Sequence, residues 1–249
     1  MTRQQLRRQG DAMLRTLFGS AAQPAGLGHL LTEAAYGAIW SRPGLSVPDR
    51  LVCSIAALGV GPRLRALRRH IGSGLDHGLT AEAIREILVQ ASLYSWFSAA
   101  EETLALAGEV FAERSIQFPA DPPEDASLEQ LDERGAALMA VLHGSRATQG
   151  YASPDNPVTG QLYPSAIRYG YGEIWSRPGL EHRQRALVAV AAFTALRLPE
   201  QVAKFGQSAL NTGLTQTQVL EAIIQTAPLT GFPPALNALG AISTVFGRA

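Results

Sequence analysis

Apolar residues recur at helical spacing along most of the chain. The segments "AEAIREILVQASLY" (81–94) and "QTQVLEAIIQTAPL" (216–229) carry them at i, i+3 and i+4, the pattern of an amphipathic helix. The Ala-rich segments "RLVCSIAALGV" (50–60) and "RALVAVAAFTAL" (185–196) are apolar on all sides, which predicts buried helices. No segment alternates apolar and polar residues for any length, as a half-buried strand would. The pattern therefore predicts an all-α fold.

Polar and turn residues mark where these helices begin and end. Gly78 stands where a left-handed residue ends one helix, and Thr80 stands at the N-cap of the next. In a second, matching segment, Thr215 and Gln218 form a capping-box pattern. A proline pair at 233–234 fits the first turn of the last helix.

The chain contains one unit twice. The segments "YGAIWSRPGL" (36–45) and "YGEIWSRPGL" (171–180) share nine of ten residues, and the alignment continues without a gap from 36–111 to 171–246. We predict two similar units, 1–114 and 128–249, related by a pseudo-two-fold axis and joined by a Pro- and Asp-rich linker at 115–127. The predicted helix at 128–143 corresponds to the N-terminal one. The shared ten residues are expected to end a helix with Trp40 or Trp175 packed inward.

Composition narrows the class of protein. The 249 residues carry no net charge and no basic stripe, which argues against a nucleic-acid partner. The single cysteine, Cys53, excludes disulfides within the chain and sites built from cysteine pairs. No apolar run approaches 18 residues, and the polar N-terminus is unlike a signal peptide. We expect a soluble cytoplasmic protein that does not bind membranes.

The order of these motifs resembles the carboxymuconolactone decarboxylase family in its tandem form. The resemblance rests on four features: the "GxIWSRPGL" opening, an arginine before a buried helix, a histidine before "GLT", and a "GF"-type turn. The resemblance implies the helical fold of the alkylhydroperoxidase D group and a homo-oligomer, a dimer or trimer of two-unit chains. It implies acid–base chemistry on an unsaturated lactone acid with no metal or organic cofactor. The CxxCxxxH motif of the alkylhydroperoxidase branch is absent, because Cys53 stands alone.

The two units differ where the family carries its histidine. The resemblance places His70 there in the first unit, but Phe205 in the second. A family glutamate about one turn earlier is matched by Glu200 in the second unit and replaced by Arg65 in the first. We predict His70 as the general acid/base. The second unit is expected to be a scaffold and oligomer partner, with Phe205 lining the pocket.

Arginines and aromatic residues complete the predicted site. Arg50 and Arg185 recur at matching positions, either as contacts to a substrate anion or as an inter-unit salt bridge. Trp40, Tyr94 and Trp96 are expected to shape the pocket around His70. Trp96 replaces the glycine of the second copy and predicts an enlarged aromatic wall.

Other titratable groups are weaker candidates. Glu102 either supplies a missing carboxylate to the substrate site or lies on a solvated helix face. His29, His143 and His182 lack a partner pattern and are expected to have no role in the site. His77 is expected to be a surface cation that interacts with the C-terminal end of its helix.

The sequence favours a cofactor-independent enzyme that acts by proton transfer on an oxygenated small molecule, such as a lactone, enol or carboxylic acid. Decarboxylation, tautomerisation and ring rearrangement all fit this chemistry, so lyase and isomerase activities both stay open. One alternative is a cyclase or pericyclic-type catalyst in specialised biosynthesis, where the pocket mainly holds a conformation. Another is a non-catalytic ligand-binding or assembly protein, suggested by the incomplete glutamate–histidine pair.

Overall fold

The computed structural model describes residues 1–20, 25–121, 126–153 and 155–247, which contain helices and turns but no strand. Two segments are wound as wide π-helices, π1 (Leu31–Trp40) and π2 (Ala166–Glu173). The α-helices are α1 (Arg3–Phe18), α2 (Gly28–Leu30), α3 (Val47–Gly59), α4 (Leu64–Asp76), α5 (Ala81–Tyr94), α6 (Phe97–Glu113), α7 (Leu128–His143), α8 (Tyr163–Ser165), α9 (His182–Ala195), α10 (Pro199–Leu210), α11 (Gln216–Thr230) and α12 (Phe232–Phe246).

The predicted all-α fold with two tandem helical units is confirmed. The two Ala-rich helices, α3 and α9, pack against each other at the centre of the molecule. Helix α11 of the second unit also packs on α3, and α5 of the first unit packs on α9. Buried residues from both units form one continuous apolar cluster, so the units share a core. Among the described residues, no helix is both long enough and apolar enough to cross a bilayer.

The repeated ten residues lie at equivalent places in the two units. In the first copy they begin in π1; in the second they begin in π2 and continue into a 3₁₀ turn at Ile174–Ser176. Trp40 and Trp175 are 1% and 2% exposed, so both are packed inward as the sequence predicts. These segments therefore fix one large ring in the core of each unit.

Close backbone contact at glycines docks the preceding helix on each π-helix. A Cβ on Gly37 of π1 would lie 2.4 Å from the Leu6 carbonyl oxygen of α1. A Cβ on Gly172 of π2 would lie 2.1 Å from the Leu131 carbonyl oxygen of α7. The matching contacts put α1 and α7 in the same register, so the last residue of α1, Phe18, is equivalent to the last residue of α7, His143.

The predicted helix ends are confirmed. Gly78 has φ +92°, and the Thr80 hydroxyl accepts a hydrogen bond from the Ala83 amide at the start of α5. Thr215 and Gln218 form the predicted capping box. Prolines stand in the first turn of α12.

The turns before α6 and α12 differ in conformation. Gly231 has φ +101°, a value that side-chain-bearing residues rarely adopt. Its counterpart Trp96 takes an extended φ of −152° instead. The replacement of glycine by tryptophan therefore changes the backbone path as well as the side chain.

Candidate active site

Arg50 lies in a buried ion pair between the units. Its side chain is 1% exposed and donates through Nη2 to Glu221 Oε2 (2.8 Å) and to the Arg42 carbonyl (2.8 Å). Its Nη1 donates to Gln225 Oε1 at 2.9 Å. Arg42 also pairs with Glu221, at 2.7 Å. Of the two alternatives for Arg50, the structure shows the inter-unit salt bridge.

The same arrangement recurs with the units exchanged. Arg185 is fully buried and donates to Glu86 Oε2 at 3.0 Å, to the Arg177 carbonyl at 2.7 Å and to Gln90 Oε1 at 3.3 Å. Glu86 is itself fully buried and is also paired with Arg85 at 3.0 Å. The assignment of Arg50 and Arg185 to a substrate pocket is therefore corrected: both guanidinium groups are used in holding the two units together.

His70 lies in an aromatic cluster of the first unit. Its ring is 5.5 Å from Phe18 in an edge contact and 6.1 Å from Trp40, measured between ring centroids. Tyr36 stacks on Trp40 at 6.3 Å and meets Phe18 edge-on at 6.0 Å. On the outer side, the Arg69 guanidinium lies 3.6 Å from the Phe18 ring centre. Trp40 and His70 therefore belong to the same cluster.

The protonation of His70 follows from its contacts. Its Nδ1 is 2.8 Å from the Ala66 carbonyl oxygen, which can only accept, so Nδ1 carries the proton. The opposite nitrogen, Nε2, is buried without a hydrogen-bond partner among the described residues. Burial, opposed by the Ala66 hydrogen bond and aided by the charge of Arg69, lowers the pKa of His70 to about 4. The imidazole is therefore neutral near pH 7, with a bare lone pair on Nε2.

The second unit repeats this cluster with one exchange. Tyr171 stacks on Trp175 at 5.9 Å, as Tyr36 stacks on Trp40. The edge contact is made by His143 and Phe205 at 5.1 Å, where the first unit has Phe18 and His70. The second unit thus retains a histidine, but on α7 rather than α10.

His143 is hydrogen-bonded at both ring nitrogens. Nδ1 is 2.7 Å from Ser208 Oγ and Nε2 is 2.9 Å from the Tyr171 hydroxyl. Because Ser208 donates to the Lys204 carbonyl, it accepts from Nδ1–H, and the Tyr171 hydroxyl then donates to Nε2. Burial and the nearby Arg146 charge lower the pKa of His143 to about 4. His143, for which the sequence shows no partner pattern, is therefore held by two side chains in the folded chain.

A cavity of about 330 Å³ opens beside His143. Its lining contains two cations, Arg146 and Lys204, and includes Phe205, which therefore lines a cavity of the second unit rather than the pocket of His70. Part of the wall is the segment joining α7 to α8, which carries short 3₁₀ turns at Gly144–Thr148 and Gly150–Ala152.

Two predicted pocket residues, Tyr94 and Trp96, lie elsewhere than expected, and Glu102 follows one of the alternatives given for it. Tyr94 belongs to the second unit's cluster, not to that of His70: its ring is 6.3 Å from Phe205, and its hydroxyl accepts from Trp175 Nε1 at 2.9 Å. It reaches across because α5 packs on α9. Trp96 is 52% exposed at the start of α6, so it forms no buried wall. Glu102 is exposed on α6, which agrees with the solvated-face alternative.

The comparison with known proteins agrees with the repeat. The model of the carboxymuconolactone decarboxylase family matches residues 25–109 and again 161–244. A 4-carboxymuconolactone decarboxylase from Acinetobacter baylyi is 32% identical over 88 residues, which cover 35% of this chain and 66% of that protein. A nitrosuccinic acid decarboxylase from Metarhizium robertsii is 23% identical over 119 residues, covering 48% and 83%.

A solved structure supports the fold over the full length. A crystal structure from Burkholderia xenovorans LB400, of a protein assigned as a gamma-carboxymuconolactone decarboxylase subunit, superposes with a TM-score of 0.56 at 20% identity. The match covers 97% of this chain and 98% of the other, and it bears on the fold alone. Since the family model matches twice and spans most of the sequence, the chain belongs to the carboxymuconolactone decarboxylase family, with two tandem copies of the family's domain.

Proposed function

We propose that this protein is a decarboxylation-type enzyme that acts on a small oxygenated carboxylic acid through proton transfer at His70. The family and two relatives named as decarboxylases support the reaction class. The observation that carries the role of His70 is its buried, unpartnered Nε2, held in place by the hydrogen bond from Nδ1 to Ala66.

The chemistry requires a group that moves a proton to carbon. When CO₂ leaves, the carbon–carbon bond breaks and its electron pair stays on the remaining carbon or an attached enolate oxygen. That carbon must then gain a proton. A neutral His70 takes a proton from an acidic hydroxyl or carboxyl of the substrate at Nε2 and returns it to the carbon. A carboxylate arriving in this apolar cluster favours the imidazolium and raises the pKa of His70 from its low resting value.

A cation other than Arg50 has to bind the substrate carboxylate, because Arg50 is already paired with Glu221 of the other unit. Arg69 precedes His70 on α4, and its guanidinium stacks on Phe18, the ring that contacts His70. We propose Arg69 as the anion contact of the first unit. Phe18 lies between Arg69 and His70, so its ring has to turn aside when substrate reaches Nε2.

The test is release of CO₂ from 4-carboxymuconolactone and from nitrosuccinate by the full chain. His70→Phe installs the residue that the second unit already has at this position. We expect it to lower kcat by about 100-fold or more, the range for loss of a general acid or base. His77→Gln, at the end of the same helix, is the matched control and should retain activity. Equal rates for His70→Phe and the control would contradict the proposal.

The closed aromatic surroundings of His70 favour one alternative, a catalyst that mainly holds its substrate in a reactive conformation. In that case His70→Ala should reduce turnover only mildly, and lowering the pH should leave the reduced rate unchanged. If the wild-type chain binds these acids but releases no CO₂ and forms no isomer, the non-catalytic alternative is favoured instead.

A further inference from the structure

A surface cavity of about 240 Å³ adjoins the aromatic cluster that contains His70. It lies between the end of α1, one face of α4 and the end of α6, and its apolar wall includes Leu17, Phe18 and Val110. Phe18 and Arg69 line this cavity, and they are also the residues that cover His70 from outside. The Phe18 ring therefore stands between the cavity and His70.

Arg69 is the cation of this cavity whose charge is not already matched. Arg68 is paired with two glutamates of α6, and Arg114 is paired with Asp76 at 3.1 Å. The Arg69 guanidinium instead lies over the Phe18 ring, and its N–H groups find no acceptor among the described residues. A planar guanidinium with unused N–H groups is well suited to bind a carboxylate.

Ser73 lines the same cavity and carries an unused hydrogen-bond donor. The residue is 2% exposed. His77 Nδ1 is 2.8 Å from the Ser73 carbonyl oxygen, which can only accept, so Nδ1 carries the proton. The same nitrogen lies 3.4 Å from Ser73 Oγ and therefore cannot accept the hydroxyl proton. The Ser73 hydroxyl is thus a buried donor that has no acceptor within the described part of the chain.

The equivalent hydroxyl of the second unit is fully engaged. Ser208 Oγ donates to the Lys204 carbonyl at 3.1 Å and accepts from His143 Nδ1 at 2.7 Å and from Arg146 Nη2 at 2.8 Å. Of these two matching serines, Ser73 is the one with a donor left for a ligand.

We propose that Arg69 and Ser73 together bind the substrate carboxylate in this cavity, with the guanidinium on one carboxylate oxygen and the Ser73 hydroxyl donating to the other. Side chains four residues apart lie on the same face of a helix, so both donors reach one ligand. A carboxylate that engages Arg69 competes with its contact on Phe18, the ring that covers His70. That this ligand is the substrate rests on the proposed function, whereas the binding of a carboxylate here does not.

The experiment is binding of 4-fluorobenzoate to the full chain, followed by ¹⁹F NMR, with 4-fluorobenzyl alcohol as the neutral analogue. We expect saturable binding of the carboxylate and at least tenfold weaker binding of the alcohol. Arg69→Gln and Ser73→Ala should each weaken the carboxylate by about tenfold or more, the range for loss of a hydrogen bond to a charged group. Ser208→Ala is the matched control and should leave the affinity unchanged.

Urea unfolding separates a ligand contact from a structural role. Ser73→Ala should be as stable as the wild type, because its hydroxyl donor has no acceptor to lose, whereas Ser208→Ala should be less stable. In CO₂ release, Ser73→Ala should raise KM by about tenfold and change kcat much less. A Ser73→Ala variant that is destabilised and binds 4-fluorobenzoate as the wild type does would overturn the role of Ser73.

The remaining outcomes distinguish this site from the proposed decarboxylation. His70→Phe should lose CO₂ release and retain 4-fluorobenzoate binding. Carboxylate binding that depends on Arg69 and Ser73 in a chain that releases no CO₂ would support the site and contradict the proposed function. Equal affinity of the wild type, Arg69→Gln and Ser73→Ala would overturn the site, whatever the rate of CO₂ release.

Discussion

The two aromatic clusters have the same architecture but present the imidazole from different helices. Each contains a stacked Tyr–Trp pair from the repeated segment and an edge contact between a histidine and a phenylalanine. In the first unit the histidine is His70 on α4; in the second it is His143 on α7. Duplication has thus preserved the packing of rings, while the position of the titratable ring has changed.

The inter-unit ion pairs show the opposite behaviour, because both units retain them in type and position. Arg50 pairs with Glu221, and Arg185 pairs with Glu86. Their surroundings still differ: Arg42, beside Glu221, has 44% of its side chain exposed, whereas its counterpart Arg177, beside Glu86, has 15%. Four changes test how far the two units are alike.

The largest effect is expected for Glu86→Gln. It leaves Arg185, fully buried, without its carboxylate, and breaking a buried pair typically costs about 3–5 kcal/mol. Glu221→Gln also leaves a buried guanidinium, that of Arg50, without its carboxylate. It should still cost less, because the second arginine beside Glu221, Arg42, is 44% exposed and can regain water, whereas Arg177 beside Glu86 is 15% exposed. The measurement is the free energy of urea unfolding. Glu109→Gln, in an exposed pair with Arg68, is the control and should cost no more than about 1 kcal/mol. Equal costs at Glu86 and Glu221 would show that the pairs are equivalent.

The second effect is a loss of stability in mild acid. His70 has a pKa of about 4 in the folded chain against 6.5 for a free histidine. As the pH falls below 6.5, the unfolded chain binds this proton and the folded chain does not. The contribution of neutral His70 to the free energy of unfolding is therefore fully present above pH 6.5, and about 3 kcal/mol of it is lost as the pH falls to 4.

His70→Phe should remove most of that loss, as measured by unfolding at pH 4.5 and 7.5. His143→Phe should remove less, because His143 is only partly buried and the charge it gains is better screened. A pH dependence of stability that neither variant alters would show that both imidazoles already titrate near their ordinary pKa.

A third, smaller effect is expected for Gly172→Ala. The added Cβ would lie 2.1 Å from a backbone oxygen of α7, so the helix has to move, at a cost of about 2–3 kcal/mol. Gly240→Ala in α12 is the control: nothing lies within 4 Å of its added Cβ, and helix propensity predicts a slight gain in stability. A Gly172→Ala variant as stable as the control would mean that α7 and π2 are loosely packed.

The smallest effect is expected for Tyr94→Phe. The change removes the acceptor of the Trp175 indole N–H, and leaving that buried donor unpaired costs about 1–2 kcal/mol. Leu229 occupies the corresponding position on α11, and Leu229→Met should be nearly neutral. If Tyr94→Phe is as stable as the wild type in urea, the Tyr94–Trp175 hydrogen bond adds nothing to the free energy of unfolding, and the two clusters do not differ in this respect.

Much of the fold was predictable, because it depends on local signals. The period of the apolar residues, the cap at Thr80, the glycine at 78 and the two repeated segments each have a direct structural counterpart. The inward packing of Trp40 and Trp175 followed from their identity in both copies. These signals lie within one helix or one turn, where sequence and conformation are closely linked.

The site was less predictable, since it depends on packing between helices far apart in sequence. Tyr94 lies in the second unit's cluster because α5 crosses onto α9, a contact that no local pattern encodes. The role of Arg50 rested on a partner in the other unit. The position of His143 could have been predicted from the sequence, because aligning the corresponding helices α1 and α7 places His143 at the position of Phe18. The exchange of histidine and phenylalanine between the two units is recognised only when this alignment is combined with that of His70 and Phe205.

The reciprocal ion pairs also limit how such a chain can evolve. Each unit supplies the carboxylate that neutralises a buried arginine of the other, so neither half can be deleted, recombined with a foreign partner or left to decay without exposing an unpaired charge. Substitutions in the aromatic clusters leave these ion pairs intact, although Tyr94 of the first unit also accepts a hydrogen bond from Trp175 of the second. We therefore expect both units of such a fused duplicate to be retained together. New specificity is expected to arise by substitution in the aromatic clusters rather than at the inter-unit ion pairs.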